Sequence, residues 1–237
     1  MNFLAEQAAS LFQIYLTDQQ IAQFDLYTRE LVDWNERLNL TAIVEPHAVQ
    51  VRHYLDSLSL VLAVKPYAGM KVIDVGTGAG FPGLPLKIAF PDIHLTLMEA
   101  TGKKINFLTH LINLFEIGGA DTLNARAEEA GQMRQHRNRY DIAVARSVAR
   151  LPSLVEYLLP LVRVGGRCIA MKGETAAAEA DDSKRALSLL GGKLDSILPV
   201  TLPDVTDTHY LVVIEKVAPT PSAYPRRPGM PTQKPLT

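Results

Sequence analysis

The stretch VIDVGTGAGFPG, residues 72–83, decides the fold. A short apolar run leads straight into Gly76, Gly78 and Gly80, and Pro82 closes the segment. That order reads as a buried strand ending in a tight turn, where glycine lets backbone N–H groups approach a ligand. Gly78, Gly80 and Gly83 also satisfy G-x-G-x-x-G, the dinucleotide fingerprint, but a lone match is weak. The register argues against a dinucleotide. The strand ends near Val75, so such a loop would use Gly76 and Gly78 and need a glycine where Phe81 stands. The better description is D-x-G-x-G-x-G, counted from Asp74. An acid beside the loop suits an ammonium group and repels a pyrophosphate.

Outward from this loop, apolar strands alternate with helical stretches. KVIDV, HLTLMEA, DTLNAR, YDIAVARS and RCIAMKG are the candidate strands, with helices expected after the first, second, fourth and fifth. The rhythm implies an α/β fold with a mostly parallel sheet and right-handed crossovers. KLDSILPVTLP and HYLVVIEKV are joined by only a few polar residues, too few for a crossover helix. That last pair is therefore expected to be antiparallel, an ending that dinucleotide-binding sheets usually lack. Glu99 closes the second strand 23 residues after Gly76, near the position where a ribose-binding carboxylate is expected.

Upstream, Ile21, Phe24, Tyr27, Leu31, Trp34 and Leu38 recur at helical spacing, and Thr17 with Gln20 forms a capping box. Pro46 suits the first turn of a third helical stretch. Residues 1–64 are read as a helical segment packed on a main domain of residues 65–217. Residues 218–237 form a tail with six prolines plus Arg226, Arg227 and Lys234, expected to be extended or disordered. The chain has 237 residues, 21% of them charged, and a net charge of −1, so nothing global draws it to nucleic acid. One cysteine, Cys168, excludes an internal disulfide and a cysteine metal cluster and fits a reducing cytoplasm. No run approaches a membrane span, and the N-terminus lacks the features of a signal peptide.

The D-x-G-x-G-x-G form resembles motif I of the S-adenosylmethionine-dependent methyltransferases, whose loop holds the amino-acid end of the cofactor. Three absences then narrow the reaction. The fourth strand ends in Ala145, Arg146 and Ser147, not in the Asn/Asp-Pro-Pro-aromatic motif of exocyclic-amine methylation. Cys168 lies inside a strand, away from any covalent role, and no His/Glu pair reads as a base for a hydroxyl. A lone-pair nitrogen such as guanine N7 needs none of these, and no dedicated catalytic acid or base is expected.

The ordered set WNERLNLTAI, HYLDSL, DVGTGAGFPGLPLKIAFP, EATGKKINFL, ARAEE, VARSVARLP, MKGE and YPRRPGMPTQKPL is similar to the bacterial small-subunit ribosomal RNA methyltransferase G family. It is also called the glucose-inhibited division protein B family. The resemblance covers nearly the whole chain. It implies a Rossmann-like class I methyltransferase sheet and S-adenosylmethionine as donor. It also implies N7 methylation of one guanosine in small-subunit (16S) ribosomal RNA. On the matching positions it implies donor contacts at Asp74, Gly76, Gly78 and Phe81, at Glu99, Ala100 and Thr101, at Ala127 and Glu128 around the adenine, and at Arg146. Many members carry Arg where this chain has His209, which puts a fixed positive charge there in doubt.

Lys103, Arg126, Lys172, Arg226 and Arg227 are the candidate RNA contacts, phosphate-positioning cations in an otherwise neutral chain. Arg134, Arg137, Arg139 and Arg150 add to the cluster, and the run from Arg134 to Arg139 is equally consistent with a solvated face. His53 and Asp56 share a helix face and are expected to bond the helical segment to the main domain. Small-subunit ribosomal RNA, free or in an assembling subunit, is the expected partner of a monomeric chain with no metal. Three other readings remain open at this point: a methyltransferase for a small molecule or protein, an NAD-dependent oxidoreductase, and a noncatalytic RNA-binding module.

Overall fold

The computed structural model describes residues 1–237. Helix α1 (Asn2–Phe12) precedes α2 (Asp18–Leu38), whose start is fixed as the sequence implies. The Thr17 hydroxyl accepts from the Gln20 N–H, and Gln20 Oε1 accepts from the Thr17 N–H at 2.8 Å. Phe24, Tyr27 and Leu31 are fully buried along one face. Glu45 caps the third helical stretch by accepting from the His47 and Ala48 N–H groups, with Pro46 opening α3 (Pro46–Val49). This stretch continues through a wide turn over Gln50–Leu55, α4 (Asp56–Leu58) and a tighter turn over Ser59–Leu62.

One seven-stranded sheet follows: β1 (Lys71–Val75), β2 (His94–Glu99), β3 (Ala120–Asn124), β4 (Tyr140–Arg146), β5 (Val162–Lys172), β6 (Gly192–Val200) and β7 (His209–Lys216). The order is β3-β2-β1-β4-β5-β7-β6. The first five strands are parallel, and β7 inserts antiparallel between β5 and β6. The direction switches between β1 and β4, so their carboxyl ends open a crevice at the point where the strand order reverses.

Helices α5 (Gly83–Ala89), α6 (Gly102–Leu114), α8 (Leu151–Leu158), α9 (Ala176–Asp182) and α10 (Lys184–Leu190) cover the sheet. A helix also follows β3, where none is expected from sequence. It is the single turn α7 (Ala127–Ala130), too short to leave a periodic signature. Two apolar clusters form, one on each side of the sheet. The first joins Leu4, Phe24, Tyr27 and Leu31 of the N-terminal helices to Leu84, Phe107 and Leu111 of α5 and α6. The second packs α8 and α10 against Ile73, Ala143 and Val212.

Of the two expectations for the tail, extended or disordered, the structure shows an ordered, mostly irregular chain. It lies across α7 and α8, with a short helix α11 (Met230–Gln233), and Pro231 is buried. The prolines keep regular structure to one short turn, with Pro231 in the first turn of α11, but do not prevent packing. The tail's carbonyls supply acceptors for side chains of the main domain, so a segment without its own ladder is still fixed.

Candidate cofactor cleft

The glycine loop is held from three sides. Gly76 and Thr77 N–H groups both donate to the Met98 carbonyl, at 2.9 and 3.1 Å, which fastens the turn to β2. Asp74 Oδ2 accepts from the Thr77 hydroxyl at 2.6 Å and the Gly83 N–H at 2.7 Å. From the N-terminal helices, the Tyr27 hydroxyl donates to the Ala79 carbonyl at 2.5 Å. Gly76 has φ +68°, and a Cβ there would lie 2.7 Å from Val148 Cγ2. Gly80 has φ +102°, and its Cβ would run into the Tyr27 hydroxyl. Both glycines are therefore demanded by backbone conformation and by close approach.

Glu99 connects loop and strand. Its Oε2 accepts from the Gly78 N–H at 3.1 Å and its Oε1 from the Thr101 N–H at 2.9 Å. Asn124 Nδ2 donates to the Glu99 carbonyl, which fixes the backbone there. A cleft of about 210 Å³ opens beside it, lined by Gly76, Met98, Glu99, Ala100, Ala125–Glu128, Val148 and Tyr157. The structure thus brings together Gly76, Glu99, Ala100, Ala127 and Glu128 of the sequence candidates. Gly78 and Thr101 sit on its rim through their bonds to Glu99.

Three candidates lie outside the lining of this cleft: Asp74, Phe81 and Arg146. Asp74 is fully buried, and its Oδ1 has no hydrogen-bond partner. Burial pushes its pKa up to about 6 despite the Thr77 and Gly83 bonds. Its position is under the loop, shaping the turn, and not facing an ammonium group. Phe81 is 5% exposed, stacked on His53 at 4.4 Å and on Tyr27 at 5.3 Å between centroids. Its ring packs the loop against the N-terminal helices instead of offering a face to a base.

Arg146, at the end of β4, organises the neighbouring ground. Its Nη1 donates to Asp56 Oδ2 at 2.7 Å and to the Arg52 carbonyl at 2.9 Å, and its guanidinium carbon lies 5.3 Å from the Phe81 centroid. Asp56 Oδ1 accepts from His209 Nδ1 at 3.0 Å. Asp56 therefore ties the helical segment to β4 through a guanidinium and to β7 through an imidazole. Hydrogen bonds from His209 and Arg146, with the Arg146 charge, hold its carboxyl below the usual range against the opposing burial. The bond to Asp56 raises the His209 pKa. His53, buried beside the Arg146 charge, is lowered to about 4. A second cavity of about 130 Å³ adjoins the β4 end, with Asp56, Arg146, Ser147, Lys172, His209 and Tyr210 in its wall.

The basic candidates divide. Lys103 and Arg126 are exposed beside the cleft and Arg227 is exposed on the tail, none of them in an ion pair. Lys172 is not free. Its Nζ meets Glu179 Oε2 at 2.8 Å and donates to the Ala149 carbonyl at 2.6 Å. Arg226 is not free either, since it grips the fully buried Glu156 carboxylate through Nε and Nη2. Both are structural cations, because a buried carboxylate demands a charged partner. Arg137 likewise spends its guanidinium on the carbonyls of Gly131, Thr220, Pro221 and Tyr224. Sequence reasoning missed Tyr27 and Tyr157 as site residues, because both sit in apolar helical patterns that read as core.

The family model of rRNA small subunit methyltransferase G matches residues 20–204. The chain belongs to this family. It is 46% identical over 222 residues to the ribosomal RNA small subunit methyltransferase G of Alkaliphilus metalliredigens, covering 94% of this chain and 93% of that one. The protein of the same name from Roseiflexus castenholzii is 45% identical over 228 residues, covering 96% and 97%. Among solved structures, a geranyl diphosphate methyltransferase in complex with GPP and sinefungin aligns with TM-score 0.55 at 12% identity, covering 69% of this chain and 77% of that one. TrmN from Thermus thermophilus aligns with TM-score 0.52 at 18% identity, covering 68% and 48%. These two likenesses show the fold, a class I methyltransferase sheet. No helix is long and apolar enough to cross a membrane, and no cluster of His, Cys, Asp and Glu is placed to hold a metal.

Proposed function

We propose that the chain transfers a methyl group from S-adenosylmethionine to N7 of a guanosine in small-subunit ribosomal RNA, in the cytoplasm. Family membership carries the acceptor class. The cleft carries the donor. The residues present fit it: a glycine turn where a Cβ at Gly76 would collide with Val148, and two carboxylates, Glu99 and Glu128, along one apolar wall. Gly76 and Gly78 would hold the amino-acid end, Glu99–Thr101 the ribose, and Ala127 with Glu128 the adenine. When bound, the cofactor supplies an electrophilic methyl group on a sulfonium.

The chain's own residues need only align the acceptor. Guanine N7 carries no proton, so no base is required. Arg146 at the β4 end lines the second cavity, held there by Asp56, and would orient a base that enters it. A-form RNA hides N7 in a deep, narrow groove, so the target must be splayed out or lie in distorted RNA. Lys103, Arg126 and Arg227 are the cations left to receive phosphates.

Mapping 7-methylguanosine by selective chain cleavage in ribosomal RNA from cells with and without the protein tests this. One cleavage lost with the protein and restored by its return supports the assignment. An unchanged pattern overturns it.

A further inference from the structure

The tail converges on two residues of the cleft wall. The Gly229 N–H donates to Glu128 Oε1 at 2.9 Å, and the Thr232 hydroxyl meets the Tyr157 hydroxyl at 2.9 Å. Glu128 and Tyr157 both line the cleft at its α7–α8 end. Everything else about the tail anchors it for that contact. Arg226 bonds Glu156 through its backbone N–H at 2.7 Å and through Nη2 at 2.7 Å. The Ser153 hydroxyl donates to the Pro231 carbonyl at 2.8 Å, and Arg137 takes three tail carbonyls from the other side. Pro225 packs so closely on α7 that a Cβ at Gly131 would lie 2.6 Å from it.

We propose that this strap is the specificity element for the purine of the donor. Saturating Glu128 Oε1 with the Gly229 N–H fixes the carboxylate plane and leaves Oε2, which has no partner in the chain, to accept from an exocyclic amine. A 6-aminopurine offers that donor, and a 6-oxopurine puts an acceptor in its place. Glu128 touches the ligand, whereas Arg226 and Gly229 act through it and are positioning residues. The inference rests on the cleft being the S-adenosylmethionine site.

The test compares S-adenosylhomocysteine with S-inosylhomocysteine, which differ at the purine 6-position, by calorimetric titration of the full chain. A hydrogen bond to a charged group predicts that the wild-type chain prefers the adenosyl probe by about 10–100-fold. Arg226→Ala combined with Glu156→Gln releases the strap without stranding a buried charge. It should cut that preference by about tenfold while S-inosylhomocysteine affinity changes by no more than about twofold. Arg226→Lys keeps the charge paired but loses the two-pronged grip. Should the double variant fail to fold, it should show the same selective loss in smaller measure. Equal losses for both probes, or an unchanged preference, overturn the proposal. A wild-type chain that binds neither probe refutes the donor assignment itself.

Discussion

His53 makes the pH dependence of stability a sharp test of how the helical segment meets the glycine loop. Its ring is 6% exposed, with Nε2 2.9 Å from the Thr41 hydroxyl, Nδ1 3.3 Å from Arg146 Nη2, and its face on Phe81. Nδ1 also lies 3.2 Å from the Arg52 carbonyl, so the neutral ring donates either to that oxygen or, as the other tautomer, to Thr41. Protonation adds a second positive charge beside the Arg146 guanidinium. Burial first, then the Arg146 charge, lower the pKa from 6.5 to about 4. A base with a depressed folded pKa leaves the unfolded chain holding more protons between the two values. Stability therefore falls as pH drops below about 6.5, and this contribution levels off below about 4. At pH 4.5 the loss amounts to about 2–3 kcal/mol. Urea unfolding followed by Trp34, the single tryptophan, reads it directly. His53→Gln should lose stability at pH 7.5 for want of the stack, yet lose about 2–3 kcal/mol less than the wild type on going to pH 4.5. Parallel losses in the two proteins over that interval would refute the reasoning.

Four further outcomes follow from the same geometry. His209 shifts the opposite way, raised chiefly by its bond to Asp56, so its contribution is complete below about pH 6.5 and fades as pH rises through the folded value. His209→Gln should flatten the alkaline side of the stability profile, measured as denaturant midpoints from pH 6 to 9. Gly76→Ala must place a Cβ 2.7 Å from Val148 Cγ2 at φ +68°. S-adenosylhomocysteine affinity should drop about tenfold or more, and Val148→Ala in the same chain should restore only part of it, because the backbone strain stays. Lys103→Ala and Arg126→Ala should weaken binding to small-subunit RNA and each lower the slope of log affinity against log salt by about one. Lys172→Gln should leave that slope unchanged and instead lower the melting temperature by freeing Glu179.

The loop was legible because its signal is local. Strand, glycine spacing and Asp74 follow one another within ten residues, and a turn needing positive φ constrains residue type at single positions. The hairpin was legible for a similar reason, since a connection too short for a helix leaves one geometry. What sequence does not carry is the partner of a charge. Arg226 and Lys172 read as phosphate contacts because their carboxylates, Glu156 and Glu179, lie 70 and 7 positions away with no pattern joining them. One clue stood in plain view: Glu156 interrupts the apolar run LPSLVEYLL, and a charge on a buried helix face requires a cation from elsewhere. Tyr27 hid in the reverse way. Its ring satisfies the apolar stripe of α2, so nothing in the spacing reveals that its hydroxyl reaches the Ala79 carbonyl.

The two ends of the chain act on opposite ends of the cleft, and this explains why neither is a removable appendage. The N-terminal helices hold the loop through Tyr27 and the Phe81–His53 stack, and hold the β4 end through Asp56 and Arg146. The tail holds the far wall through Glu128 and Tyr157. Between them the carboxyl ends of β1, β2 and β4 supply only backbone and a few side chains. A sheet edge can place atoms along its strands, but it cannot fix the direction of a carboxylate or a guanidinium beyond its last residue. That direction comes from second partners, and here those partners come from outside the sheet. Loss of the N-terminal grip should therefore disturb the methyl-bearing end of the donor and the approach of the base. Loosening the tail's grip on Glu128 and Tyr157 while keeping Arg227 should disturb the purine end alone, leaving transfer at saturating donor close to normal.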